Sequence, residues 1–390
     1  MNILFFASTY PHPSYPFSAF IKVICEEMTR LGHEVTVIAP QSMTSTLLGR
    51  KVKLPKDVLY DVPCVDRVRQ IRVLRPYSLT FGKFRKFTWK AKQYIAYKAY
   101  NKLGITPDVL YAHFWNNAYN AIEISKKTGK PLFVATGEDK IVADEVLNAN
   151  EIEALRNCVK GVICVSTKNK VESINKGLSV EEKCIVLPNA TDHGLFYKKD
   201  KLKCREMLGF PKDAFIVAFS GRFIERKGVN RVSHAISLCK DSRIKSIFIG
   251  QTTGDNVIRP NCDGILFEGP LDHIQMPDYL NAADVFVLPS IAEGCSNSII
   301  EAMACGLPII SSALPFNEDI CNENNSILVD PMDVQAIANA IKKMKNVEFR
   351  TKLSEGATKT AAGLNISERT SKILSFIDKN REISNENNIF

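Results

Sequence analysis

The chain has 390 residues, with 51 lysines and arginines against 42 aspartates and glutamates, a formal net charge of +9, and 45% hydrophobic residues. Single cores rarely grow past about 250–300 residues, so the length predicts two domains. The hydrophobic content and a charged fraction of 24% exclude a disordered, collagenous or coiled-coil chain, and no run of about 18 apolar residues offers a membrane span.

The opening residues, MNILFFASTY, carry neither a basic n-region nor a small-residue cleavage site, so a buried first strand is expected and not a signal peptide. Residues 3–7 are an apolar run, followed by a loop punctuated by Pro11, Pro13 and Pro16. From Ser18 to Leu31 the apolar residues Phe20, Ile21, Ile24, Met28 and Leu31 recur at helical spacing, and Gly32 ends the pattern. A second apolar run at 34–39 completes a βαβ unit, which predicts a parallel sheet. Further strands are expected at 109–112, 132–135, 161–165 and 184–187, with helical patterns between them. The alternation restarts at 215–219 and continues through 247–249, 285–288, 308–311 and 326–329. The expected fold class is therefore α/β, with two Rossmann-like parallel-sheet domains covering 1–190 and 191–365 and a seam near 188–203. A C-terminal helix over 366–390 is expected to pack back on the first domain, with a polar tail from Asn385 to Asn388 that frays. The eleven scattered cysteines form no CxxC pair, which predicts neither a zinc site nor a disulfide framework but the reduced thiols of a cytoplasmic protein. A dinucleotide-binding dehydrogenase would need GxGxxG after the first strand. That loop reads Ser8-Thr9-Tyr10-Pro11-His12-Pro13, without a glycine.

The stretch ADVFVLPSIAEGCSNSIIEAMACGLP, residues 283–308, carries the most chemistry. A buried strand ends at Pro289-Ser290, a loop bears Glu293-Gly294, and a helix runs from Ser296 or Asn297 to Cys305. Free N–H groups in the first turn of that helix form an anion site, and Gly294 lets another molecule approach the backbone. Glu293 and Glu301 cannot share a helical face, so an acid/base dyad is not expected. They suit two hydroxyl-bearing parts of one ligand whose anionic middle rests on the helix N-terminus, as in a nucleotide sugar. Isolated, the E-x7-E spacing would be a surface loop residue and a solvated helix residue; its Pro-Ser, Glu-Gly and Gly-Leu-Pro surroundings narrow it. A second cluster, Ser220-Gly221-Arg222-Phe223-Ile224-Glu225-Arg226-Lys227-Gly228, follows the strand at 215–219. Arg222 and Lys227 there place two cations at a strand's carboxyl end, where they could neutralise a diphosphate leaving group. With no Asp-x-Asp motif in the chain, no metal and no cofactor are expected.

These segments, with Val186-Leu187-Pro188-Asn189 and Leu31-Gly32-His33-Glu34-Val35, resemble the family 4 retaining glycosyltransferases of GT-B fold over essentially the whole chain. The resemblance implies two domains facing a cleft that closes over a nucleotide-sugar donor. It implies that Arg222 and Lys227 hold the diphosphate, Glu301 the ribose and Glu293 the sugar. Backbone amides of Gly294, Cys295, Ser296 and Asn297 would cradle sugar and phosphate, Gly221 would allow the turn, and the base would lie near Phe267 to Gly269. It also implies a retaining hexosyl transfer in which the leaving phosphate assists the incoming hydroxyl. Three stretches depart from the family pattern. Pro16-Phe17-Ser18-Ala19-Phe20 replaces the glycine-rich loop after the first strand. Thr136-Gly137-Glu138-Asp139 places Thr136 where the family has a sugar-contacting His, so Thr136, Glu138 or Asp139 would take over that contact. Pro188-Asn189-Ala190 and Gly250-Gln251-Thr252 each lack a usual glycine. His113, after the strand at 109–112, is either a cleft contact or a structural histidine, and Asn116 and Asn117 either add polar groups or satisfy the loop.

The charge is unevenly spread. From Arg50 to Lys102 there are 15 basic and 3 acidic residues, a net of +12, against 36 basic and 39 acidic elsewhere, a net of −3. The same segment holds nine aromatic residues, among them Phe81, Phe84, Phe87 and Trp89. Cations interleaved with rings suit an anionic membrane surface, and a helix whose rings pack inward is the other possibility. No nucleic-acid recognition motif accompanies the charge, so no nucleic-acid partner is expected. The family binds acceptors on the N-terminal domain, which implies a lipid-linked, diphosphate-bearing acceptor and a peripheral location at the inner membrane face. A sugar-nucleotide 2-epimerase of the same fold and a non-catalytic nucleotide-sugar-binding protein are the alternatives.

Overall fold

The computed structural model describes residues 1–15, 18–49, 52–252 and 258–382. Pro16, Phe17, Arg50 and the tail from Asn385 to Asn388 lie outside the described residues. The chain divides into two units, one of Met1–Leu187 with Ser367–Phe390 and one of Pro188–Ile366.

In the first unit the described residues form β1 (Asn2–Phe6), β2 (Glu34–Ile38), β3 (Gln41–Ser42), β4 (Asp57–Pro63), β5 (Val68–Leu74), β6 (Tyr77–Ser78), β7 (Val109–His113), β8 (Leu132–Thr136), β9 (Val159–Cys164) and β10 (Cys184–Val186). Eight of these make one sheet in the order β10-β9-β8-β7-β1-β2-β5-β4, and the short β3 and β6 pair with each other. All neighbours in the large sheet are parallel except the β4–β5 hairpin at its edge. Side chains alternate across a strand, so a sheet covered on both faces buries every residue. Accordingly Leu4, Phe6, Leu110, Ala112, Leu132 and Val134 enter one core cluster, while Ile3, Phe5, Val109, Tyr111, Phe133 and Ala135 enter another. The second cluster is completed from both ends of the chain. The Ala19–Arg30 helix contributes Ile21, Ile24, Cys25 and Met28, and the Ile366–Glu382 helix contributes Ile373, Leu374 and Ile377. A Cβ on Gly161 of β9 would lie 2.6 Å from the Phe376 ring, so the absent side chain is what admits that last helix.

The second unit holds β11 (Phe215–Ser220), β12 (Ile244–Ile249), β13 (Ile265–Gly269), β14 (Val285–Leu288), β15 (Ile309–Ser312) and β16 (Ser326–Val329). They form one parallel sheet in the order β13-β12-β11-β14-β15-β16.

Five of the described strands escape the apolar-run pattern: β3 and β6 are two residues long, and for β4, β5 and β13 the reason is exposure. In β4 only Val62 is fully buried, β5 alternates exposed Gln70 and Arg72 with buried Ile71 and Val73, and β13 has no fully buried residue. β4 and β13 are edge strands and β5, next to the edge, has one solvated face, so none of them needs a continuous apolar run.

Candidate active site

Ligands of open α/β sheets sit beyond the carboxyl ends of the strands, where the strand order reverses. In the second unit that point lies between β11 and β14. It brings together the two clusters that the sequence separates by more than 60 residues. After β11 the chain passes exposed Arg222 and buried Phe223, makes a short 3-10 turn at Glu225–Lys227, and enters the Val229–Cys239 helix. After β14 it reaches Glu293, only 6% exposed, and then the Asn297–Ala304 helix. The Lys227 ammonium donates to Glu293 Oε1. Arg226 Nη1 lies 3.4 Å from Glu293 Oε2 and also donates to the Ala292 carbonyl. The Ile291 N–H donates back to the Arg226 carbonyl at 2.9 Å.

Two glycines permit this approach. Gly228 has a φ of +80°, and a Cβ there would lie 2.9 Å from the Pro289 carbonyl oxygen. Gly250, at the end of β12 with a φ of +151°, would set a Cβ 1.9 Å from the Gly221 carbonyl oxygen. Neither position tolerates a side chain without moving backbone.

The Asn297–Ala304 helix is capped by Ser296, whose hydroxyl accepts from the Ile299 N–H at 3.4 Å. Gly294, Cys295 and Ser296 are buried and Asn297 is half-buried. Asn189 Nδ2 donates to the Cys295 carbonyl at 3.0 Å, which orients the loop before the helix. Glu301 lies within the helix, 8% exposed, with Oε1 3.0 Å from His273 Nε2. Burial of the His273 ring opposes its charge, but the Glu301 carboxylate outweighs burial and raises the imidazole pKa above its ordinary value. On β13, Phe267 stacks against Tyr279 with centroids 4.6 Å apart, and the Gly269 carbonyl accepts from the Gly250 N–H at 2.8 Å.

In the first unit the order reverses between β1 and β7, and the groups found there are uncharged. Ser8 Oγ accepts from Asn116 Nδ2 at 3.1 Å and from Asn117 Nδ2 at 3.0 Å. His113, 7% exposed, packs its ring against Phe20 and Phe114 with centroids at 5.1 and 4.4 Å. Burial, aided by the Arg369 charge, depresses its pKa to about 3, so the imidazole is neutral at physiological pH. Thr136 and Glu138 form a network of their own. Glu138 accepts from Thr136 Oγ1 at 2.6 Å, from the Gly137 N–H at 2.9 Å and from the Trp115 N–H at 2.8 Å. Trp115 begins the Trp115–Thr128 helix, which has no capping side chain of its own, so Glu138 satisfies that helix end and meets its dipole. Burial raises the Glu138 pKa against these hydrogen bonds. Asp139 is exposed, and its carbonyl accepts from Lys168 Nζ at 2.7 Å. Ser18 sits before the Ala19–Arg30 helix with φ 67° and ψ 41°. That is the left-handed conformation natural to glycine, so the backbone keeps a glycine's shape although the residue is serine.

Residues 214–346 match the family model described as glycosyl transferases group 1. The chain is 27% identical over 359 residues to a glycosyltransferase of Bacillus subtilis assigned to teichuronic acid biosynthesis, covering 90% of each chain. Over residues 214–346 the chain is thus similar to the group 1 glycosyltransferases. A further relative is the UDP-Gal:alpha-D-GlcNAc-diphosphoundecaprenol alpha-1,3-galactosyltransferase of Escherichia coli, 28% identical over 232 residues, 55% of this chain and 59% of that protein. Among solved structures, HepE of Anabaena in complex with UDP-glucose superposes with a TM-score of 0.70 at 18% identity, over 97% of this chain and 100% of that one. The two parallel-sheet units of this glycosyltransferase are those of a GT-B fold.

Sequence patterns left two site groups of the glycosyltransferase unmarked. Arg226 and Lys227, neighbours on the 3-10 turn, both reach Glu293, a contact invisible in the linear motif. His273 meets Glu301 across 28 residues, and no local spacing signals that pair. The basic segment of the transferase is also less free than its count suggests. It comprises the β4–β5 hairpin and the Arg85–Leu103 helix. Arg72 pairs with Asp57 at 2.7 Å, Arg85 with Glu145 at 3.3 Å, and Lys86 and Lys90 approach Glu151 at 2.8 and 3.9 Å. Of its rings, Trp89 is buried against Tyr119, while Phe84 and Phe87 remain 68% and 62% exposed. No described helix is long and apolar enough to cross a membrane.

Proposed function

We propose that this glycosyltransferase moves a hexose from a nucleotide diphosphate sugar to a glycan acceptor, lipid-linked in the cell, with retention of configuration and without a metal ion. Its place would be cell-surface polysaccharide biosynthesis. The observation that carries this is the Lys227–Glu293–Arg226 cluster beside two helix N-termini at the β11–β14 switch point. Opposite charges are held there within one loop pair, so a ligand presenting both hydroxyls and phosphates finds an acceptor and donors side by side. Lys227, Arg226 and Arg222 would face the diphosphate, together with the N–H groups of the first turns. Glu293 would take the sugar hydroxyls and Glu301 the ribose. As the bond from the anomeric carbon to the phosphate oxygen breaks, the leaving diphosphate gains charge, which these cations stabilise more than the ground state. The acceptor oxygen bonds to the same face, and its proton passes to the departing phosphate. Relatives named for teichuronic acid biosynthesis and for a diphosphoundecaprenol acceptor support the pathway and acceptor, and the uridine donors in the names of relative and neighbour support UDP.

A thermal-shift panel of UDP-, GDP- and ADP-sugars tests the donor site, because a ligand of the native state raises apparent stability by mass action. A shift with UDP-sugars is expected; no shift with any member overturns the donor assignment. Full transfer in the presence of a chelator is expected, and strict dependence on magnesium or manganese contradicts the metal-free step. Release of an epimerised sugar from a donor-only reaction would replace transfer by 2-epimerisation.

The exposed Phe84 and Phe87 beside Lys83, Arg85, Lys86 and Lys90 support attachment to an anionic membrane at its cytoplasmic face. Neutralising those four cations should weaken binding to anionic vesicles and leave nucleotide affinity unchanged. Unchanged vesicle binding would leave the segment as a solvated face.

A further inference from the structure

A cavity of about 410 Å³ opens in the first unit beyond the carboxyl ends of β1, β2 and β5. Its volume falls in the range of small-molecule sites, about 300–1,000 Å³. Its lining mixes hydroxyls, among them Ser45 and Thr46, with the buried face of Trp89 and three cations, Arg75, Arg85 and Lys92.

Arg75 is the unusual member. It is 1% exposed, at the end of β5, and its Nη2 donates to the Tyr10 and Pro11 carbonyls at 3.2 and 3.3 Å and to Tyr60 Oη at 2.9 Å. All three acceptors are neutral. Its Nε and Nη1 are buried with no hydrogen-bond partner, and no ion pair joins it to a carboxylate among the described residues. A guanidinium removed from water is costly unless paired, and carbonyls repay only part of that cost. The other strongly buried arginine with a comparable setting, Arg205, meets Asp284 at 2.6 Å. This fold therefore does supply counter-charges where a buried guanidinium is structural. Arg75 lines a cavity instead.

We propose that this cavity binds the acidic group of a sugar, a hexose bearing a carboxylate or a phosphate, with Arg75 supplying the counter-charge. The hydroxyls of Ser45 and Thr46 match the polar edge of such a ring, and Trp89 its apolar face. The proposal rests on the glycosyltransferase reading for its use: the acceptor recognised by the first unit carries an anionic sugar.

The test is calorimetric titration of the full chain with D-glucuronate, D-glucose 6-phosphate and D-glucose. At least one acidic sugar is expected to bind about tenfold or more tighter than glucose, the size of one charge-assisted hydrogen bond. Preference for glucuronate assigns a carboxylate, and preference for the 6-phosphate assigns a phosphate. Arg75→Met should erase the preference. Val52→Trp should lower affinity for all three sugars, because Val52 lines the cavity from a position 52% exposed, where a large ring need not disturb folding. Equal affinity for acidic and neutral sugars, no acid binding up to about 10 mM, or full acid binding by Val52→Trp overturns the proposal. Donor binding is read separately by UDP-sugar thermal shift. Absent acid binding with an intact donor shift sinks this proposal alone, and the reverse result sinks the donor assignment alone.

Discussion

The two units share one architecture and treat their strand ends in opposite ways. At the β11–β14 reversal, cations and carboxylates neutralise one another before any ligand arrives: Lys227 and Arg226 on Glu293, His273 on Glu301. At the β1–β7 reversal, Ser8, Asn116, Asn117 and a neutral His113 carry no charge, and the carboxylate nearby, Glu138, is consumed by three hydrogen bonds that close a helix end. The parallel sheet supplies a crevice in either case. What is placed in it differs with the ligand: charge pairs can exchange partners with a charged diphosphate, whereas uncharged groups suit hydroxyls. Arg75, beyond the neighbouring strands, is the exception that makes the first unit selective for an acid.

That contrast can be broken most severely at Lys227. Lys227→Ala should lower transfer by about 10²–10³ in kcat, the cost of losing one positioned donor, while far-ultraviolet circular dichroism stays unchanged. Glu293→Ala should be as damaging, and full activity of either variant would remove the charge-paired site from the mechanism. Next in size is Gly228→Ala, in which a Cβ at φ +80° presses on the Pro289 carbonyl. It should destabilise the second unit by about 1–3 kcal/mol, read as a lower melting temperature with a weaker UDP-sugar shift. An unperturbed variant would show that the two loops need not approach.

The uncharged character of the β1–β7 reversal is tested by acid. His113 has a depressed pKa of about 3, so below its ordinary value of about 6.5 the unfolded chain binds a proton that the folded chain refuses. The stability associated with neutral His113 is thus present above pH about 6.5 and is lost as pH falls toward 3, with a slope of at most about 1.4 kcal/mol per pH unit. His113→Gln should flatten that part of the curve in denaturant titrations across the same window. An unchanged slope would mean that the ring is charged or solvated. The smallest effect separates the two histidines directly. In an NMR titration His113 should titrate below the ordinary histidine range and His273 above it, because Glu301 holds the His273 proton. Glu301→Gln should return His273 toward its ordinary value. A His273 that already titrates normally would dissolve the pair.

Much of the first-order fold was legible in the linear sequence because parallel strands covered on both faces must be apolar throughout, as at residues 3–7, 109–112 and 285–288. The β4–β5 hairpin and β13 were not, because strands exposed at an edge or on one face carry no such signature. Glu293, Glu301 and Lys227 could be singled out as candidates because their surroundings are written in nearly consecutive residues after strand ends, and folding sets Lys227 against Glu293. The ion pair of Arg226 with Glu293 was not legible, because it joins positions 67 residues apart and arises only when the two loops meet in space. The +9 total and the +12 segment are properties of the sequence alone, but the partners that temper them, Asp57, Glu145 and Glu151, were brought near by folding.

By itself, then, the sequence determined the α/β class, the division into two sheets and which residues at the strand ends are candidates for chemistry, because local pattern and covalent order suffice for each. Only the tertiary structure decided which charges are paired and which stand alone. Coulombic partners are chosen by distance in space, and that is how Lys227 comes to a carboxylate while Arg75 is buried beside an open cavity.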